Sequence, residues 1–195
     1  MKELKDLNLG VALCGSFCTF SKAVKLIEEL VSLGINIYPI MSFNAYSIST
    51  RFGEASDFID KIESLTGRPI IHSIHGAEPL GPKHIIDALL IAPCTGNTLA
   101  KLNYAITDTP VLLAAKSLLR IGNPVIIALS TNDALGLNFK NLGSLMPNQN
   151  VYFVPFGQDD PINKPYSLVA DLSKTVDTLK SALDKKQIQP IITSY

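Results

Sequence analysis

"LGVALCGSFCTF", residues 9–20, is an apolar run that breaks at a glycine into small, hydroxyl-bearing residues. Leu9–Cys14 is apolar at successive rather than alternate positions, the pattern of a strand buried on both faces of a parallel sheet. Beyond Gly15 the period changes. Phe20, Ala23, Val24, Ile27, Leu30 and Val31 recur at helical spacing, Lys22, Lys25, Glu28 and Glu29 take the other side, and Gly34 supplies a stop. A strand handed to a helix through a glycine turn predicts an α/β chain.

The same alternation continues outward. Ile35–Met41, Asp87–Ala92, Pro124–Leu129 and Val151–Val154 read as further strands. Helices are expected over Glu54–Leu65, Asn97–Ile106, Pro110–Arg120, Asn132–Leu145 and Ser167–Asp184, with His72–Lys83 a structured loop punctuated by Gly76, Pro79, Gly81 and Pro82. No repeat or low-complexity linker interrupts the 195 residues, so a single domain over 1–195 is expected. The predicted fold class is α/β, a Rossmann-like (flavodoxin-like) open parallel sheet with helices on both faces and right-handed crossovers.

Seventeen basic and seventeen acidic side chains cancel. Binding to nucleic acid or an anionic membrane needs a clustered positive field, which this balance argues against. Apolar residues make up 47% and charged residues only 17%, so some faces are expected to be covered by other subunits. Cys14, Cys18 and Cys94 form no CxxC or zinc-like cluster and read as reduced thiols. The first residues carry charges where a signal peptide needs an apolar core, which predicts a cytoplasmic protein. His72 and His75 are not at metal-ligand helical spacing, and no metal is expected.

In open α/β sheets ligands bind beyond the carboxyl ends of the strands. Those ends here lead into Gly15, Ser16, Phe17 and Thr19; into Ser42 and Asn44; into Pro93, Thr95, Gly96, Asn97 and Thr98; and into Ser130, Thr131 and Asn132. Hydroxyls and carboxamides therefore gather at one edge. Gly15 allows close backbone approach, and Ser16 and Thr19 offer hydroxyls to an anion. The same serine and threonine can equally cap a helix, as can Thr95 or Asn97. A dinucleotide site wants an acidic residue after the second strand, and a triphosphate site wants a lysine in the glycine loop. Neither is present. A neutral cradle suits a phosphate monoester such as FMN, beside whose ring carboxamides offer mixed donors and acceptors.

These residues carry a resemblance. "IAPCTGNTLAKLNYAITDTPVL" (91–112) is similar to the flavoprotein-family signature in which Pro-Ala-Thr/Ser-x-Asn-Thr precedes a helix with a lysine and a later aspartate, here Pro93, Thr95, Asn97, Thr98, Lys101 and Asp108. With "GSFCT" (15–19), "SFNA" (42–45) and "ALSTND" (128–133) it spans most of the chain. The family includes phosphopantothenoylcysteine decarboxylases, peptidyl-cysteine decarboxylases and prenyl-FMN synthases. Membership implies bound FMN at a subunit contact and a homo-oligomer, a trimer or dodecamer.

"TRFGE" (50–54), "GAEPLGPK" (76–83), "STNDALGLN" (130–138) and "YFVPFGQD" (152–159) resemble, more narrowly, the family of dipicolinate synthase B subunits. That implies a sporulation enzyme of the mother-cell cytoplasm. It would act late in dipicolinate formation with a dehydrogenase-like dipicolinate synthase A subunit or another redox partner. Two departures from the cysteine decarboxylases agree. Their histidine ahead of the Pro-Ala-Ser/Thr loop falls at Pro79, beside Glu78, and their Pro-x-Met-Asn becomes Leu129-Ser130-Thr131-Asn132. A dicarboxylate substrate asks for cations, and Arg51 and Lys83 are the candidates. Glu78 and His75, with His72, are the acid–base candidates. Each also reads as an ordinary surface group. Cys14 is expected in the core, Cys18 lacks an evident base, and Asp87 reads as structural.

Overall fold

The structure, a computed structural model, describes residues 4–193. In chain order the elements are β1 (Asn8–Leu13), α1 (Phe20–Ser32), β2 (Asn36–Met41), α2 (Phe43–Ser47), α3 (Ala55–Thr66), α4 (Ile74–Ala77), β3 (Ala88–Cys94), α5 (Gly96–Asn103), α6 (Pro110–Arg120), β4 (Val125–Thr131), α7 (Phe139–Leu145), β5 (Val151–Phe153), β6 (Phe156–Gly157), β7 (Leu168–Ala170) and α8 (Thr175–Leu183). Short 3-10 turns precede α1 (Phe17–Thr19), follow α4 (Glu78–Leu80) and precede α8 (Leu172–Lys174).

β1 lies between β2 and β3, β3 pairs with β4, and β4 pairs with β5, all in parallel. The order 2-1-3-4-5 is that of a flavodoxin-like doubly wound sheet. β3 is buried along its whole length and β1 along all but its first residue, which is why both read as unbroken apolar runs. Gly10 permits the close packing at the centre, since a Cβ there would lie 2.7 Å from Ile86 Cδ1. α1 buries Phe20, Ala23, Leu26, Ile27 and Leu30, and Gly34 follows it at φ +80°.

The sheet is not wholly parallel, which corrects the expectation. β4 outruns β5, and its last residues, Ser130 and Thr131, pair antiparallel with Val169 and Leu168 of β7, which in turn pairs with β6. The hairpin occupies backbone groups that the short β5 leaves open. It also accounts for the helix expected over Ser167–Asp184: Leu168–Ala170 is strand, and the helix begins only at Thr175. The helix expected over Asn132–Leu145 is confined to Phe139–Leu145, because Asp133 O accepts from Gly136 N and closes a turn. α2 is a short helix absent from the periodicity, capped by Ser42 Oγ, which accepts from Ala45 N at 3.3 Å.

Candidate functional site

The order of the parallel strands reverses between β1 and β3, and the loops leaving these two strands part there to form a crevice. A cleft of about 1500 Å³ opens at this edge. It exceeds the roughly 300–1,000 Å³ of ordinary small-molecule pockets and is an open groove rather than a closed hole.

One wall is the turn after β1. Ser16 N donates to Cys14 O at 2.7 Å, and both Thr19 N (3.0 Å) and Thr19 Oγ1 (2.7 Å) donate to Ser16 O. The Phe17–Thr19 turn, which lines the groove, runs directly into α1, so its first N–H groups have no helical acceptor behind them. Ser16 Oγ lies 3.0 Å from Ser130 Oγ, joining the ends of β1 and β4 across β3. Thr19 departs from its expected part. Its side chain is buried and its hydrogen is committed to Ser16 O, so it shapes the cradle and has no proton to give a ligand.

The floor is the β3–α5 junction. Thr95 Oγ1 accepts from Thr98 N at 3.2 Å, so of the two residues open to a capping role it is Thr95 that caps α5. Thr98 turns inward and donates to Cys14 Sγ at 3.2 Å. Asn97 lines the groove, exposed, and among the described residues its carboxamide has no hydrogen-bond partner. Gly96 sits under the loop after β4. A Cβ on it would meet Asn138 Nδ2 at 2.6 Å and both Asp133 Oδ1 and Thr131 Oγ1 at 2.8 Å.

Of the residues expected at the site, the groove gathers Gly15, Ser16, Phe17, Thr19, Arg51, Pro93, Thr95, Gly96, Asn97, Ser130, Thr131 and Asn132. Thr98 lies beneath it, and Ser42 is spent on capping α2. Asn44 flanks Gly15, its Cβ lying 3.8 Å from where a Gly15 Cβ would stand, but does not line the groove. The structure does not bring Glu78, His75 and Lys83 to this groove. They are exposed on the segment between α3 and β3 that packs on α6, with Gly81 pressed against Ser117. His72 stacks on Tyr46 at 3.9 Å, and Lys101 is paired with Asp108 at 2.6 Å. Arg51 lies on the rim with its guanidinium 4.9 Å from the Phe52 ring centroid. Asp87 Oδ2 accepts from Asn8 N at 2.9 Å, a structural role.

Sequence reasoning did not single out Lys22, Asp133, Asn138, Asp159, Lys164 and Ser167, which also line the groove. The last three arrive on the β6–β7 hairpin, whose short strands leave almost no alternation to read. Burial alone would raise the Asp159 carboxyl, but the Ser167 hydroxyl at 3.0 Å and Lys164 at 3.3 Å outweigh it and hold the group below its ordinary value. Burial pushes the Cys14 thiol up to about 11 against the weaker opposing bonds from Thr98 and Thr95, and burial, with Cys14 nearby, also raises Cys94 well above its ordinary value. Neither is a thiolate at neutral pH. Among the described residues no group of three or more His, Cys, Asp or Glu is placed to hold a metal ion, and no helix is long and apolar enough to cross a membrane.

Comparison with known proteins places this geometry. Residues 1–183 match the family described as Flavoprotein. The chain is 50% identical over 192 residues to the dipicolinate synthase B subunit of Bacillus subtilis (strain 168), covering 98% of this chain and 96% of that one. The crystal structure of the dipicolinate synthase B subunit from Bacillus halodurans superposes with a TM-score of 0.90 at 44% identity, covering 99% of each chain. That of the FMN-dependent cysteine decarboxylase SpaF shares the fold at a TM-score of 0.70 and 21% identity, over 93% of this chain and 97% of that one. The chain thus belongs to the flavoprotein family and, within it, to the dipicolinate synthase B subunits.

Proposed function

We propose that the groove holds FMN and that the chain is the flavin-binding, oxidoreductase subunit of a dipicolinate synthase. It would act in the last step or steps from hydroxytetrahydrodipicolinate, or the dihydrodipicolinate derived from it, to the aromatic dicarboxylate. The observation that carries the cofactor reading is the chemistry of the loops at the strand-order reversal. The N–H groups opening the Phe17–Thr19 turn and the paired Ser16 and Ser130 hydroxyls suit one phosphate. Met41, Ser42 and Asn44 at the end of β2 offer no carboxylate to grip a second nucleotide. The free carboxamide of Asn97, with Thr95 beside it, suits a heteroaromatic ring edge.

When bound, the flavin supplies an acceptor for the hydrogens lost on aromatisation. The chain's part is to place the substrate. Arg51, on the rim with its planar fork exposed, is suited to a ring carboxylate. Since Glu78, His75 and Lys83 lie off the groove of their own chain, they reach a substrate only across a contact with another copy. This fits a homo-oligomer, trimeric or dodecameric, working beside a dipicolinate synthase A subunit in the mother-cell cytoplasm of a sporulating bacterium. The same displacement favours a second reading, in which this chain binds flavin and the partner performs the chemistry.

The test is direct. The purified protein is expected to be yellow, or to turn so on titration with FMN, and to release FMN on denaturation. A colourless protein that binds no FMN overturns the assignment. With FMN bound, dipicolinate formation is followed with the A subunit intact and with the A subunit's own active site inactivated. Loss of product only in the second case supports the scaffolding reading.

A further inference from the structure

Ser130 and Thr131 are neighbours at the end of β4, yet they offer the groove opposite kinds of hydrogen bonding. Ser130 shares a proton with Ser16, and either hydroxyl can donate. Thr131 has no such freedom, because its Oγ1 donates to Asp133 Oδ1 at 2.6 Å. The other carboxylate oxygen, Oδ2, accepts from Asn138 Nδ2 at 2.7 Å. A carboxylate only accepts, so it fixes the sense of every bond behind it. Asn138 Oδ1 must take Asn141 Nδ2 (2.9 Å), and Asn141 Oδ1 must take Asn103 Nδ2 (3.0 Å). The chain of amides ends on α5, and the carboxylate itself lies over the first residue of that helix, within 2.8 Å of a Cβ placed on Gly96. The amino end of α5 therefore already faces an anion supplied by the protein itself.

We propose that Asp133 is a positioning residue that makes Thr131 a pure hydrogen-bond acceptor, so that this corner of the groove selects the end of the ligand bearing an N–H. An anion is repelled there, since lone pairs and a carboxylate face it, and the phosphate is left to the Ser16 hydroxyl and the Phe17–Thr19 turn. The inference rests on the FMN reading. In FMN the group with matching chemistry is the imide N–H of the ring's pyrimidine end.

The test compares FMN with its N3-methylated analogue, which keeps the phosphate and ring but cannot donate. Dissociation constants are measured by flavin fluorescence for wild type, Thr131→Val and Asp133→Ala. One hydrogen bond is worth roughly two- to tenfold in affinity, and wild type is expected to prefer FMN by at least that factor. Valine has the shape of threonine, so a preference due to the bulk of the methyl group survives Thr131→Val, whereas one due to the bond shrinks. Thr131→Val and Asp133→Ala are both expected to reduce the preference by about fivefold. Should Asp133→Ala fail to fold, Thr131→Val decides alone. Equal binding of both flavins by wild type, or an unchanged ratio in Thr131→Val, overturns the inference while leaving FMN as cofactor. Wild type that binds neither flavin overturns the FMN reading and this one with it.

Discussion

At Cys14, the residue that follows β1, burial decides the chemistry. The thiol is fully enclosed, receives the Thr98 hydroxyl and is shifted up to about 11. Cys94 is buried as well, while Cys18 is exposed at the groove. Thiolate and access are both required for alkylation. Iodoacetamide at neutral pH is therefore expected to label Cys18 in the native protein and the other two only after denaturation, read by peptide mass spectrometry. Native labelling of Cys14 would mean that the β1 end opens. Gly96 is constrained from the other side. Its missing Cβ leaves room for Asp133, Asn138 and Thr131, all of which would lie under 3 Å away. Gly96→Ala is expected to cost about 1–3 kcal/mol in urea unfolding, the usual range for overpacking. Asn97 and Arg51, by contrast, are exposed and hold nothing in the core. Asn97→Ala should weaken FMN retention with little change in stability, and Arg51→Ala should chiefly impair substrate use. Equal flavin loss in both variants would contradict that division.

At the scale of elements, legibility follows burial. β1 to β5 are readable because a parallel strand covered on both faces writes its whole length in apolar residues, as Ala88, Leu89, Leu90 and Ile91 do in β3. The residues leaving them are readable for the same reason: a polar group after a buried strand is conspicuous. The β6–β7 hairpin is not, because Phe156–Gly157 and Leu168–Ala170 are too short to show a period, and Ser167 onward mimics a helix start. Nor can spacing show that Glu78 and Lys83 lie off the groove, since that depends on how the loop packs on α6. The hairpin makes its own prediction. The Asp159 carboxyl lies below 3.8, so its bonds to Ser167 and Lys164 contribute above that pH and are lost as pH falls through the lower folded value. The group is partly exposed, so the contribution is small. Asp159→Asn is expected to be less stable than wild type at neutral pH, with the gap narrowing below pH 3.8. A gap that stays constant into acid would show that the ionised carboxylate is not what ties the hairpin.

At the scale of the whole molecule, a thinly charged surface meets an open groove. Tyr104 and Ile106 just after α5, and Leu137 and Phe139 at the entry to α7, are exposed beside two helices that pack together. A monomer leaves single apolar residues in water without consequence, but several on adjoining elements mark a contact surface. The contact expected there is with another copy of the chain. Leu137 is the sharpest probe, because at 85% exposure its replacement removes nothing from the core. Surface changes of that kind usually alter stability by no more than about 0.5 kcal/mol. Leu137→Glu buries a charge in the contact if one forms there, at a cost that association cannot easily meet. Light scattering is expected to report wild type well above the 21.1 kDa of one chain and Leu137→Glu shifted towards it, with unchanged circular dichroism. Wild type and variant of the same mass would place the contact elsewhere, and a monomeric wild type would leave Glu78, His75 and Lys83 without a route to the groove.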